Sequence, residues 1–291
     1  MPKRVLAYLL PVLFAHNAMT SIGAEAETSV TDGWSPVQSG ASLTKEDEQN
    51  SGNDFTRPLN SFELRLRYQP SSSPDSTTDK EYALLRATTR VDLDASWKVS
   101  LYVQTEALDK QTNSAKSGAS QEAGLGDSTV QAVLIRSFGE EWAFGAGVRA
   151  VTPTASDDLG TGKLQIMPGL GVRYSFLELG PDNYFVPSLR YAVSVAGTHS
   201  TRDISELQIA PTLNLDLPGH WFLTLYPSYD IRINYGDPVS GQTGRLFLPA
   251  DVELGYKLSD KIVLGLEGSV PIIRDYPVYD YKVTFRMIFK N

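Results

Sequence analysis

Arg65, Arg67, Arg86, Arg90, Arg149, Arg173 and Arg190 each take an alternate position in a segment whose other positions are apolar. Arginine keeps its charge at any working pH and presents a fixed fork of donors, so a row of them on one face can bind or steer anions. Together with Lys98 and Lys163 they face only Glu63, Asp92 and Glu106 on the same side of their segments. The second half of the chain reverses the balance. There Arg232, Arg245, Lys257, Lys282 and Arg286 stand against Glu206, Asp216, Asp230, Asp251, Glu253, Glu267 and Asp280. Such an array works electrostatically: a transverse field orients polar solutes and favours anions. The competing reading is a salt-bridged interior that only solvates its own fold. The solute path is expected along Arg65, Arg67, Arg86, Arg90, Arg149, Arg173 and Arg190. Asp230, Asp251, Glu253 and Glu267 should form a weaker negative wall opposite, with Arg232 and Arg286 between them.

Groups for covalent or metal chemistry are scarce. Cysteine is absent, which removes disulfides, thiolate metal sites and a lipid-anchored N-terminal cysteine. Histidine occurs only at His16, His199 and His220. A barrel phospholipase needs a histidine at the lipid-facing rim beside a serine and an orienting polar partner. His199-Ser200 falls in a long connection and His220 in a short turn, so neither is expected to be catalytic. Gly124-Leu125-Gly126-Asp127 and Gly160-Thr161-Gly162-Lys163 look phosphate-binding, but neither opens a helix after a parallel strand. No enzyme activity, metal or cofactor is expected. A formal net charge of -8 argues against nucleic acid as a partner.

The elements that must position these charges follow from hydropathy of period two, which marks strands. Twelve such segments lie near residues 61–69, 82–93, 97–107, 128–136, 142–151, 163–176, 184–195, 205–217, 221–235, 245–258, 261–272 and 278–289. A soluble sandwich would bury the apolar face, whereas an outer-membrane barrel turns it outward to lipid. Connections after odd segments run long (Gln69 to Glu81, Leu108 to Asp127, Thr152 to Gly162, Ala196 to Ile204, Gly236 to Gly244). Those after even segments are mostly tight, as at Asp94 to Ser96 and Pro218 to His220. Trp97, Trp142 and Trp221 each open a strand after a tight turn, with Tyr174, Phe176, Phe185 and Phe289 at that level. Tyr68, Tyr82, Tyr235 and Tyr279 fall at the other end. Two aromatic belts are what two membrane interfaces select. The fold expected is therefore all-β: an antiparallel twelve-stranded transmembrane barrel with short periplasmic turns and longer extracellular loops. A strand spacing of ~4.8 Å and a tilt of ~40° give a backbone diameter of roughly 24 Å, narrowed by side chains to ~10 Å. Pro168, Pro187, Pro211, Pro227 and Pro249 within successive strands imply bulges, or else a lateral gap toward lipid.

The first 26 residues read as a secretory signal peptide. Lys3 and Arg4 precede the apolar run Val5 to Ala15, and Ala24-Glu25-Ala26 offers a cleavage site after Ala26, or after Ala24. Residues 27–57 are polar and acidic and are expected to form a flexible periplasmic tail, with a segment tucked into the lumen as the alternative. Residues 58–291 form the barrel, placed in the Gram-negative outer membrane with lipid as its partner and expected to be monomeric.

Gly124-Leu125-Gly126-Asp127 before a strand, then Pro153-Thr154-Ala155, Leu159-Gly160-Thr161-Gly162-Lys163 and Pro168-Gly169 resemble the outer-membrane transporter family named for the meta-pathway of phenol degradation. The resemblance covers roughly residues 60–289. It implies a barrel that moves small molecules, aromatic ones included, and brings no catalytic residues. The expectation is an outer-membrane channel or transporter for small solutes, aromatic or anionic. The alternative is a structural or adhesion barrel whose loops bind partners without a conducting pore, and a membrane hydrolase ranks below both.

Overall fold

The computed structural model describes residues 50–156, 159–180 and 182–291. The expected signal peptide and the tail from residue 27 to 49 lie outside the described residues. The strands are Ser61–Ser73 (β1), Ser76–Asp92 (β2), Trp97–Ser114 (β3), Gly118–Leu125 (β4), Ser128–Phe138 (β5), Trp142–Thr152 (β6) and Lys163–Ser175 (β7). They continue with Tyr184–Gly197 (β8), Ser205–Asp216 (β9), Trp221–Leu225 (β10), Ile231–Asn234 (β11), Leu246–Ser259 (β12), Ile262–Arg274 (β13) and Lys282–Lys290 (β14). These fourteen segments make twelve staves. β4 continues β5 past a break at Gly126-Asp127, both pairing with β3. β10 and β11 are one stave interrupted over residues 226–230, both lying between β9 and β12. Every sequential neighbour is antiparallel, and β1 pairs with β14 from Ser61↔Lys290 to Tyr68↔Val283, so the sheet closes with no free edge.

Burial is inverted relative to a soluble protein. Leu134, Leu254, Leu266, Val270 and Ile272 are exposed, Ile272 at 66%, while Glu253, Glu267, Lys282 and Arg286 are buried, Lys282 at 1%. Apolar side chains turned outward and charges turned inward require a hydrocarbon surround. Trp142 stacks on Tyr174 at 4.7 Å and Trp221 on Tyr256 at 4.9 Å near the short turns, and Tyr68 meets Tyr281 at 5.9 Å at the other end.

The strands depart from the sequence reading in three places. Gln69–Glu81 and Leu108–Asp127, expected as loops, are mostly strand: the β1–β2 and β3–β4 pairings continue to Ser73↔Ser76 and Ser114↔Gly118. Beyond the lipid both faces meet water, so polar alternation such as Ser-Thr-Thr-Asp-Lys pairs there without an apolar face. Tyr82 and Tyr279, assigned to a belt, point inward. Tyr82 lies beneath Arg67 at 5.9 Å, and the buried Tyr279 hydroxyl donates to Asp230 at 2.9 Å. The ninth stave is broken at Pro227, where backbone over 226–230 folds into the lumen and carries Tyr229 and Asp230 with it.

The prolines are accommodated by irregularities in the ladder. Pro249 sits at a register shift, and Pro187 directly opposes Pro211. Neither can donate to the other, so the two form a non-hydrogen-bonded pair, and Pro211 turns its missing N–H toward the interrupted stave.

With no native cysteine, topology can be read from single thiols. Ser117→Cys and Gly241→Cys should react with an impermeant maleimide on intact cells, and Gly219→Cys only after the envelope is opened. The reverse pattern would invert the barrel.

Candidate functional site

Closure puts the acidic staves beside the first arginines rather than across the lumen from them, which corrects the expected pair of opposing walls. Going round the barrel, β12, β13, β14, β1 and β2 are consecutive. Arg286 on β14 pairs with Glu253, and Arg65 donates to Glu63 at 2.6 Å. Asp230, Asp251 and Glu267 gather closely enough to hold a cation, and the cation among them is the Lys282 ammonium. Arg232 lies 3.6 Å from Glu206 and 3.4 Å from Asp230. Arg67 reaches Thr284, and Arg90 pairs with Asp92 near the short turns. This side of the lumen is a cross-linked, nearly neutral network.

The remaining arginines behave differently. Arg86, Arg149 and Arg190 each sit directly across from a glutamine on a neighbouring strand: Gln104, Gln131 and Gln208. In each pair the guanidinium Nε donates to the glutamine Oε1, at 3.1 Å for Arg86 and 3.0 Å for Arg149. A neutral amide orients the fork without cancelling its charge. Among the described residues, Arg149 and Arg190 have no carboxylate within ion-pair distance, and Arg86 has Glu63 at 3.3 Å. Tyr102 lies under two of the cations, 4.6 Å from Arg86 and 5.4 Å from Arg149, and Tyr229 under Arg190 at 4.3 Å. The three guanidinia border a cavity of about 180 Å³ whose wall also includes Tyr102, Val133, Met167 and Tyr229. The Tyr102 hydroxyl is buried and has no hydrogen-bond partner among the described residues.

Residues 50–59 form the floor of that cavity. The stretch from 50 to 57, expected as the end of a flexible tail, is folded inside the short-turn end of the lumen and touches staves all round it. Ser51 donates to Asn214 at 3.3 Å, Asn53 donates to Thr224 at 2.9 Å, and Arg286 donates to the Ser51 carbonyl at 3.3 Å. Asp54 binds Arg57 at 2.8 Å, and Arg57 binds Asp182 at 2.8 Å. Burial disfavours charge on Asp54, yet Arg57 and Arg173 outweigh it and hold the carboxyl below its usual range. These bonds return what an isolated polar segment lacks, which is why composition alone pointed to disorder.

Phe55 is the apolar anchor of this plug. Its ring lies on Gly145 and Gly171, which face each other across β6 and β7; a Cβ at either would come within 2.5 and 2.8 Å of it. Gly147 and Gly169 are the next inward pair along the same two strands. Four missing side chains at alternate positions cut a groove in the wall. The signal was in the sequence, as Gly-x-Gly twice on the inward parity, and its use becomes visible only when the two strands are paired.

The glycine motifs shape a rim. Asp127 Oδ2 accepts from the Thr161 amide at 2.8 Å and its hydroxyl at 2.9 Å, clasping the connection between β6 and β7 to the β4–β5 break. A Cβ at Gly126 would meet Glu106 at 2.5 Å, so the motif's glycine permits close approach rather than phosphate binding. His199 is exposed in its loop, and His220 lies in the short turn, edge-on to Tyr256 at 6.5 Å.

A closed antiparallel barrel with an apolar exterior and a charged lumen has the fold of the outer-membrane barrels. An outer-membrane channel of Pseudomonas putida is similar with a TM-score of 0.58, over 80% of this chain and 96% of that one, at 14% identity. The β domain of the Bordetella autotransporter BrkA gives 0.51 over 79% and 98%, at 8% identity. Residues 70–271 match the family described as "Putative MetA-pathway of phenol degradation", and the chain belongs to that family. No curated protein sequence matches the chain.

Phe55→Ala and Gly171→Leu should both loosen the plug, the first by removing the ring and the second by filling its seat. Each should leave heat-modifiable migration intact and raise single-channel conductance. Deleting residues 27–49 should change neither, whereas deleting 27–59 should open the lumen. Unchanged conductance in all of these variants would show that the segment does not restrict the pore.

Proposed function

We propose that this barrel conducts small organic anions across the outer membrane, with Arg86, Arg149 and Arg190 as its selectivity element. The observation that carries the reading is that each of these guanidinia is braced by glutamine around one cavity, and that among the described residues only Arg86 has a carboxylate at ion-pair distance, Glu63 at 3.3 Å. Three oriented cations in a confined lumen attract anions from a distance and can bind a carboxylate at contact. Tyr102, Tyr229 and Phe55 supply flat faces beside them, and the unpartnered Tyr102 hydroxyl supplies a further donor. A planar aromatic carboxylate satisfies both kinds of wall, with its ring on tyrosine and its charge on the fork. The neutralised network on β12 to β1 then acts as scaffold, keeping the acids of that side from cancelling the arginines across the lumen. The other reading, a structural or adhesion barrel, is favoured by the plug bonded on several sides of the lumen.

In a planar bilayer under a salt gradient, the wild-type protein should show a reversal potential on the anion-selective side, larger at low ionic strength where screening is weaker. Replacing Arg86, Arg149 and Arg190 together by glutamine should move it toward cation selectivity without loss of the folded barrel, since lumen substitutions tune selectivity while the lipid face holds the barrel. Cation preference in the wild type would overturn the assignment, and a silent bilayer with every plug variant would favour the structural barrel.

A further inference from the structure

Beneath the plug, at the short-turn rim, lies a second cavity of about 370 Å³ lined by Arg57, Lys98, Arg173 and Glu140. Its cations are unequally satisfied. Arg57 holds two carboxylates, Asp54 and Asp182, each at 2.8 Å. Lys98 has no ion pair among the described residues, and Glu140 is exposed. Arg173 is buried, at 4% exposure, yet poorly bonded. Its Nη1 reaches Asp54 only at 3.4 Å, its Nη2 reaches the Glu140 carbonyl at 3.2 Å, and its Nε has no partner among the described residues.

A guanidinium withdrawn from water with an unfilled donor is unfavourable until a partner arrives. A carboxylate bound across such an edge forms two parallel bonds of about 2.7–2.9 Å. Asp54 cannot supply that fork, because its nearer contacts go elsewhere: 2.8 Å to the Thr56 amide, 2.6 Å to the Thr56 hydroxyl and 2.8 Å to Arg57. It touches Arg173 as a distant third partner. Asp54 lies on the plug and Arg173 on β7, so this contact ties the plug to the wall at the cavity, and it is longer than the Arg57–Asp182 pair beside it, at 3.4 Å against 2.8 Å.

We propose that Arg173, on a cavity shared with Lys98, is a second anion site for small carboxylates, where an arriving carboxylate takes Arg173 from Asp54 and so loosens the plug at this edge. The site rests on the channel reading only for its consequence, opening of the lumen; binding and loosening of the plug occur whether or not the pore conducts. A solute would thus loosen the floor that separates this site from the Arg86–Arg149–Arg190 cavity, placing two anion sites in series along one path.

The test uses the full chain, carrying the single thiol Asn53→Cys on the plug. Sodium benzoate should speed maleimide labelling of that thiol several-fold, and neutral benzamide should not. Asp54→Asn in the same background should label fast without benzoate, and Arg173→Gln should abolish the benzoate response, with heat-modifiable migration checked for each. If Asp54→Asn fails to assemble, Arg173→Gln decides. A labelling rate indifferent to benzoate, a response retained in Arg173→Gln, or an equal response to benzamide overturns the site. Bilayer recordings of the same samples separate the two readings. Benzoate-sensitive labelling with a silent bilayer sinks the channel and keeps the site, and anion-selective current with benzoate-insensitive labelling does the reverse.

Discussion

Hydrocarbon offers no hydrogen bonds, so a sheet that crosses it must pair every strand, first with last included. Here that requirement is met by Ser61–Tyr68 lying against Val283–Lys290. Much of the lumen follows from this seam. It joins the basic start of the chain to its acidic end, so Arg65 and Glu63 become neighbours of Glu253, Glu267, Lys282 and Arg286. Charges that sequence order separates by some two hundred positions are consumed in one network.

The arginines distant from the seam escape that fate. On the strands flanking β6 and β8, the residues directly opposite these two arginines are not acidic: Gln131 and Met167 face Arg149, and Gly169 and Gln208 face Arg190. Their charge persists because their neighbours are neutral, and their orientation persists because those neighbours are amides. Field and cavity therefore coincide on the side of the barrel away from the seam. The paired glycines of β6 and β7 are on the same side, and the room they leave is what admits Phe55.

The plug and the wall share one set of charges. Asp54 serves a turn through Thr56, a partner through Arg57 and a wall contact through Arg173. A segment with little apolar surface of its own, fixed by hydrogen bonds, ion pairs and one ring, owes its order to the wall that surrounds it.

Period-two hydropathy, the tryptophans after tight turns and the run of short and long connections determined the barrel, its number of staves and the inward face of nearly every strand, because a strand's side chains alternate whatever it pairs with. The thirteen charged residues expected along the solute path stand at inward positions of the staves or in the infolded stretch at Asp230. Which of them remain uncancelled was beyond the sequence, since that depends on cross-strand register and on the β1–β14 seam. The hairpins beyond the lipid are not legible as strands, because polar alternation on both faces carries no hydropathy signal. The fate of residues 50–59 was decided by tertiary structure alone: a polar segment with no apolar face becomes ordered only where a wall of matching donors, acceptors and absent side chains surrounds it.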